Sequence, residues 1–238
     1  MLGFSDQCVL VISPHQDDLE IGCGGIVQKF LAAGSDVHVV HGTLVDLAGT
    51  YRKYDKATDT YTTYTGAQRF EETRSALAVL GGASPDAWRG IVVHDPLFSS
   101  DKHHRIDTVP LSERIEVLES VISAVKPTVL LYAAESSNQD HEALARTVRS
   151  VMRPHFYSGM VIEYEIGDEV AFVPNLFVPM TDQELRRKLD AFEAYETQQS
   201  GDLHVVSECG IQYKAQYRGK QCYHPYAEAF RVLRMVAG

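Results

Sequence analysis

Residues 8–25 read C-V-L-V-I-S-P-H-Q-D-D-L-E-I-G-C-G-G, an apolar run, then a histidine, two adjacent aspartates and three glycines. The run over 8–13 is short and rich in β-branched residues, the composition of a strand buried on both faces of a parallel sheet. The charged residues that follow mark the carboxyl end of that strand and the start of a helix. Loops at this end of parallel strands are where α/β folds hold their ligands. His15 and Asp18 are therefore candidate ligands of a divalent metal, with Asp17 beside them as a candidate base. The plainer reading of the same residues is a helix cap, an acidic first turn and a chance histidine.

Working outward, Ile21, Ile26, Val27, Phe30 and Leu31 keep helical spacing across 20–33, and Gly34 closes that helix. A second strand over 37–41 completes a βαβ unit. Residues 44–65, with Tyr51, Tyr54, Tyr61 and Tyr64, read as a long loop of the kind that carries function in compact domains. A helix over 68–80, a short strand over 91–93 and a polar loop with His94, Asp95, His103 and His104 come next. An amphipathic helix over 111–125 then stops at Pro127, and a fourth strand is expected over 128–132.

That fourth strand again runs into a charged cluster, Asn138-Gln139-Asp140-His141, ahead of a helix over 142–152. In a parallel sheet both clusters lie on one edge, so His141 can meet His15 and Asp18. A neutral, metal-bound imidazole also removes the penalty of a cation at a helix N-terminus. The last third reads as strands over 159–165 and 175–178, a helix over 182–198 and a tail ending in an edge strand over 229–233. With no repeat or linker, 1–238 is expected to form one α/β domain.

Composition narrows the function. The 238 residues are 45% hydrophobic and 23% charged, as globular chains are, and carry a formal net charge of -10. Nucleic acid and anionic membrane surfaces both need a positive footprint, so neither is expected as a partner. The chain shows neither an apolar run long enough for a membrane span nor a basic, then apolar, leader, and a cytoplasmic location is expected. Four cysteines without C-x-x-C spacing argue against a disulfide framework or a thiolate zinc site.

His15, Asp18 and His141 supply the three protein ligands of a catalytic zinc site, and Fe(II), Mn(II) or Co(II) suit the same donors. A metal there would polarise a carbonyl and acidify a water, and Asp17 could accept the proton. The glycines Gly22, Gly24 and Gly25 suggest dinucleotide binding only weakly. Two carboxylates stand where the pyrophosphate would need backbone amides, so the glycines are expected to let the helix pack closely.

The stretch 14–25 resembles the signature of the PIG-L/LmbE-like zinc-dependent N-deacetylases, written P-H-P-D-D with E-x-G-x-G-G behind it. Arg69-Phe70-Glu71-Glu72 resembles that family's R-x-x-E helix, with Leu80-Gly81 after it. Asn138-Gln139-Asp140-His141 resembles its H-x-D-H, and Tyr226-Ala227-Glu228-Ala229-Phe230 a segment near its end. The resemblance implies a Rossmann-like domain, mainly parallel sheet flanked by helices, that hydrolyses an N-acetyl group from an amino sugar or sugar conjugate. It also implies zinc on His15, Asp18 and His141, Asp17 as general base and Asp140 as an orienting carboxylate.

Two positions depart from the pattern. Gln16 replaces a proline, at the cost of loop rigidity. Asn138 replaces a histidine thought to stabilise the oxyanion or protonate the leaving amine; asparagine can donate to an oxyanion but delivers no proton. His41, His94 and His224 are the candidate stand-ins. The departure leaves a second reading open, an altered or non-hydrolytic member: a metal-dependent binding protein or a tailoring enzyme acting on another bond. The tyrosines over 51–64 either stack on sugar rings or pack on a neighbouring subunit of a homo-oligomer.

Overall fold

Strand β1 (Cys8–Ser13) sends Val9 and Val11 into one hydrophobic core and Leu10 and Ile12 into the other. Burial on both faces is why its sequence is a continuous apolar run. The computed structural model describes residues 3–42, 47–55, 58–82, 91–98, 105–167, 171–199 and 204–235; His103 and His104 lie outside them. After β1 come α1 (Asp18–Ala32), β2 (Asp36–His41), β3 (Thr50–Asp55), β4 (Thr60–Thr65), α2 (Gly66–Leu80) and β5 (Ile91–Val93). Then follow α3 (Leu111–Val125), β6 (Val129–Ala133), α4 (Gln139–Val151), β7 (Met160–Tyr164), β8 (Leu176–Met180), α5 (Asp182–Glu193), α6 (Glu208–Gln221) and β9 (Tyr226–Arg234).

Seven strands form one sheet in the order β5-β2-β1-β6-β7-β9-β8. The first five are parallel, and β9 runs antiparallel to both its neighbours. One face packs on α1, α2, α5 and α6, the other on α3 and α4. Strand order reverses between β1 and β6. At such a switch point the loops diverge to opposite faces and leave a crevice beyond the carboxyl ends of the strands. The clusters after β1 and after β6 flank that crevice.

Three expectations need correction. Residues 50–65 are not a loop: β3 and β4 pair antiparallel, Tyr51 opposite Tyr64 and Tyr54 opposite Tyr61, as a ribbon separate from the main sheet. The tail holds the helix α6, and β9 lies inside the sheet between β7 and β8 rather than at its edge. The helix after β8 stops at Glu193, before a 3-10 turn over Glu196–Gln198. All four cysteines are free. Among the described residues no helix is long and apolar enough to cross a membrane.

Helix α1 breaks at Cys23 (φ -141°, ψ 16°). The break frees the N–H groups of Gly25 and Ile26, which donate to the Glu228 carboxylate of β9 at 2.7 and 2.8 Å. Glu228 thus caps the second half of the helix, and buried Lys188 balances its charge. A methyl group on Gly22 would strike the Tyr164 ring, and one on Gly25 the Met180 sulfur and the Glu228 carboxylate. These glycines serve close packing of helix on sheet. Gly22→Ala is expected to lower unfolding free energy by about 1–3 kcal/mol through overpacking. Gly24→Ala, whose new carbon would meet Leu80 and Lys188 side chains no closer than 3.4 Å, should be neutral or slightly stabilising. Urea titrations of the two variants make the comparison.

Candidate active site

The loop from β1 and the first turn of α4 converge on one oxygen, Asp18 Oδ2. It accepts the His15 backbone N–H at 2.8 Å and lies 3.4 Å from His15 Nδ1 and 3.3 Å from His141 Nε2. The two imidazole nitrogens are 3.3 Å apart. A near-equilateral triangle of this size fits three corners of a tetrahedron, whose edge is about 3.35 Å for bonds of about 2.05 Å. The donor set, two imidazoles and a carboxylate, suits a divalent transition metal.

A second histidine pair makes the contrast. His38 and His94 have the same ring separation as His15 and His141, 5.2 Å, but their nearest nitrogens are 2.9 Å apart. The His15 and His141 nitrogens are also within hydrogen-bond distance, but there Asp18 Oδ2 stands 3.3–3.4 Å from both as a third donor atom.

A second layer of contacts holds His15. His15 Nε2 lies 3.1 Å from Asp140 Oδ2, so a neutral ring donates there and turns its Nδ1 lone pair toward Asp18 and His141. Asp140 Oδ1 accepts the backbone N–H groups of Ile106 (2.8 Å) and Asp107 (3.4 Å), donors that no sequence motif marks. The His15 carbonyl accepts from Ser13 Oγ at 2.8 Å and from His41 Nδ1 at 3.3 Å. Burial opposes charge on His15, yet the hydrogen bonds with Asp140 and Asp18 outweigh it and hold its pKa up at about 10. Burial likewise opposes ionisation of Asp18, but His141 and then His15 keep its carboxyl far below the usual carboxylate range. Asp140 is also lowered, with His15 overcoming the burial penalty.

Asp17 occupies the N-cap position of α1 but makes no side-chain capping bond. Its Oδ1 instead pairs with Arg69 Nη2 of α2 at 2.9 Å. Arg69 is buried, stacked over the Tyr195 ring at 4.6 Å and 3.8 Å from Glu72. Burial works against its charge, and Asp17 more than compensates, raising its pKa. The R-x-x-E segment thus has a structural role that its motif alone does not reveal: Arg69 aims Asp17, and Glu72 holds the backbone N–H and hydroxyl of Thr197 at 2.8 and 2.6 Å. Gln16 bonds to Thr73 at 2.9 Å, and its carbonyl accepts the Tyr195 hydroxyl.

Asn138 caps α4, its Oδ1 accepting the Asp140 N–H at 2.9 Å. With Oδ1 in that bond, the side chain still carries two N–H donors. Of the three stand-in histidines, only His41 lies against the cluster. Burial depresses its pKa to about 4, so it is neutral at pH 7 and braces the His15 backbone. His94 pairs with His38, and His224 is exposed on the turn before β9, a strand three places from β1 in the sheet.

Two imidazoles and several carboxylates stand at the switch point of this sheet, the place where open α/β folds hold their ligands. A family profile described as PIG-L, GlcNAc-PI de-N-acetylase, matches residues 10–152, and the chain belongs to that family. Comparison with curated proteins gives no match. Among solved structures, an A40926 pseudoaglycone deacetylase aligns over 97% of this chain and 98% of its own with TM-score 0.71 at 19% identity. The N,N'-diacetylchitobiose deacetylase of Pyrococcus horikoshii aligns over 96% and 84% with TM-score 0.67 at 22% identity. A 4-carboxy-2-hydroxymuconate hydratase from Pseudomonas putida aligns over 97% of each chain with TM-score 0.64 at 18% identity. At these identities the likeness is one of fold.

The raised pKa of His15 has a measurable consequence. Without a cation this imidazole keeps its proton through neutral pH, and a metal must displace it. Zinc uptake by the metal-stripped protein at pH 7 is expected to release about one proton or more, and affinity should rise with pH below about 10. Calorimetry in buffers of different ionisation enthalpy reads the release. An enthalpy independent of buffer would place the metal elsewhere.

Proposed function

We propose that this protein is a metal-dependent amide hydrolase that removes an N-acetyl group from an amino sugar or sugar conjugate. His15, Asp18 and His141 are the residues we assign to the metal, most simply zinc. The observation that carries the reading is the 3.3–3.4 Å triangle of ligand atoms with Asp17 held beside it by Arg69. Zinc, when bound, supplies Lewis-acid polarisation of the acetamide carbonyl and a water acidic enough to lose a proton near neutrality.

This chain's own groups do the rest. Asp140 keeps His15 in the tautomer that offers Nδ1 to the metal. Asp17, restrained through Oδ1, takes the proton of the attacking water on Oδ2. Asn138 directs its amide N–H toward the carbonyl oxygen as negative charge develops there. The amine leaves only if protonated, and the proton that Asp17 has received is available for that step. Asp17→Asn is expected to retain metal and fold while lowering acetate release by about 10²-fold or more. Metal content measured on the same variant separates a base from a ligand, since loss of metal would move Asp17 into the ligand set.

A second reading is favoured by one specific observation, the asparagine where the motif that 138–141 resembles carries a histidine. A hydratase shares this fold, so the same cluster could serve addition to another bond, or binding alone. Asn138→His distinguishes the two. For a deacetylase short of an acid, the change should raise acetate release from N-acetylglucosamine, by up to about the 10²-fold that a positioned acid contributes. No gain with metal intact would favour the altered chemistry.

A further inference from the structure

The β3–β4 ribbon stands off the main sheet, and a two-stranded ribbon by itself is only marginally stable. Among the described residues it is tied both at its base and along its length. At its base, Gly66 N–H donates to the Gly49 carbonyl at 3.0 Å and Thr65 caps α2, one turn before Arg69. Along its length, Lys53 Nζ reaches the backbone carbonyls of Gln198 and Gln199, the latter at 2.9 Å. The pairing register puts Tyr51, Lys53 and Tyr64 on one face, all half-buried, and Arg52, Tyr54 and Tyr61 on the other, all exposed. With six residues in each strand the ribbon extends about 20 Å from the rim of the crevice.

The exposed face has a particular chemistry. Tyr54 and Tyr61 are 47% and 59% exposed, with ring centroids 5.1 Å apart, and the Arg52 guanidinium sits 4.2 Å from the Tyr61 centroid. The two strands together contain four tyrosines, five threonines and no aliphatic side chain. Protein–protein interfaces are enriched in Phe, Trp and Met beside Tyr and Arg, and the two strands carry none of the first three. Aromatic faces set among hydroxyl and guanidinium donors instead match a pyranose, which offers an apolar ring face edged by hydroxyl groups.

We propose that the outer face of this ribbon is a saccharide subsite that holds the sugar residues of an extended substrate while its N-acetylated residue occupies the crevice. The inference rests on the deacetylase reading and narrows it: the preferred substrates are oligosaccharides or large glycoconjugates rather than single amino sugars.

The test compares N-acetylglucosamine with its β-1,4-linked tetramer, using the holoenzyme for acetate release and calorimetry of the tetramer on metal-stripped protein. Tyr54→Ala/Tyr61→Ala should raise KM for the tetramer about tenfold, leave the monomer unchanged and weaken tetramer binding by a similar factor. Tyr61→Trp, which keeps an aromatic face, should preserve binding even if the double variant is poorly folded. Acetate release from the tetramer with KM and affinity unchanged in the double variant would overturn the subsite and leave the deacetylase reading standing. Tyrosine-dependent tetramer binding without acetate release from either sugar would overturn the deacetylase reading and keep the subsite. No binding of the tetramer, or a changed sedimentation coefficient as the sole effect of the double variant, would overturn the subsite, the latter making the ribbon a contact between copies of the chain.

Discussion

A single carboxylate oxygen, Asp18 Oδ2, joins the two halves of the sheet at the crevice. It touches the His15 backbone, the His15 ring and the His141 ring, groups that arrive from opposite sides of the strand-order reversal. Burying a charged carboxylate is costly unless opposite charge and hydrogen bonds compensate it. Here the compensation comes from imidazoles that would otherwise repel one another once protonated. The His15 ring is tied from behind by Asp140, and Asp140 in turn by the N–H groups of Ile106 and Asp107. This second layer sets direction, which a metal site needs as much as charge.

The geometry of α1 depends on a more distant carboxylate. Its first turn must carry Asp18 to the crevice while the remainder lies flat on the sheet, and the break at Cys23 separates the two tasks. Breaking a helix inside a core exposes unpaired N–H groups, which are costly when buried. Glu228 answers both, and Lys188 makes its own charge tolerable. The glycines that resemble a phosphate loop are therefore part of a folding device. They let β7 and β9 come close enough for this cap to form, and their place inside the helix keeps their amides from a pyrophosphate at the strand end.

The parallel strands and both charged clusters were legible because burial on two faces leaves continuous apolar runs, and the charged residues begin where those runs stop. The ribbon was not. Neither face of β3 or β4 enters a core, so no apolar alternation marks them, and Thr and Tyr read equally well as loop residues. Helix α6 was missed for a related reason: only Ile211, Ala215 and Gly219 are buried along it, a narrow stripe interrupted by glycine. In β9, Glu228 and Arg231 look like edge-strand charges. Their partners, Lys188 and Glu163, come from elements remote in sequence and allow them inside the sheet. At the site, the R-x-x-E spacing marked Arg69, but its pairing with Asp17 required α2 to cross the end of β1, and that is tertiary information.

Asn138 sits where these levels meet. As an N-cap it completes α4, which carries both Asp140 and His141, and its carbonyl oxygen is spent on that task. A histidine at the same position caps less well and would trade helix stability for an ionisable group. On the reading proposed above, asparagine keeps the part of the site that would hold a cation and aim a base, and supplies no independent acid. Asp17 on that reading serves both ends of the hydrolysis, and its salt bridge to buried Arg69 fixes where that carboxylate stands. Arg69 is itself held over the Tyr195 ring, so the position of the carboxylate traces back through α2 to the packing of residues far from β1 in sequence.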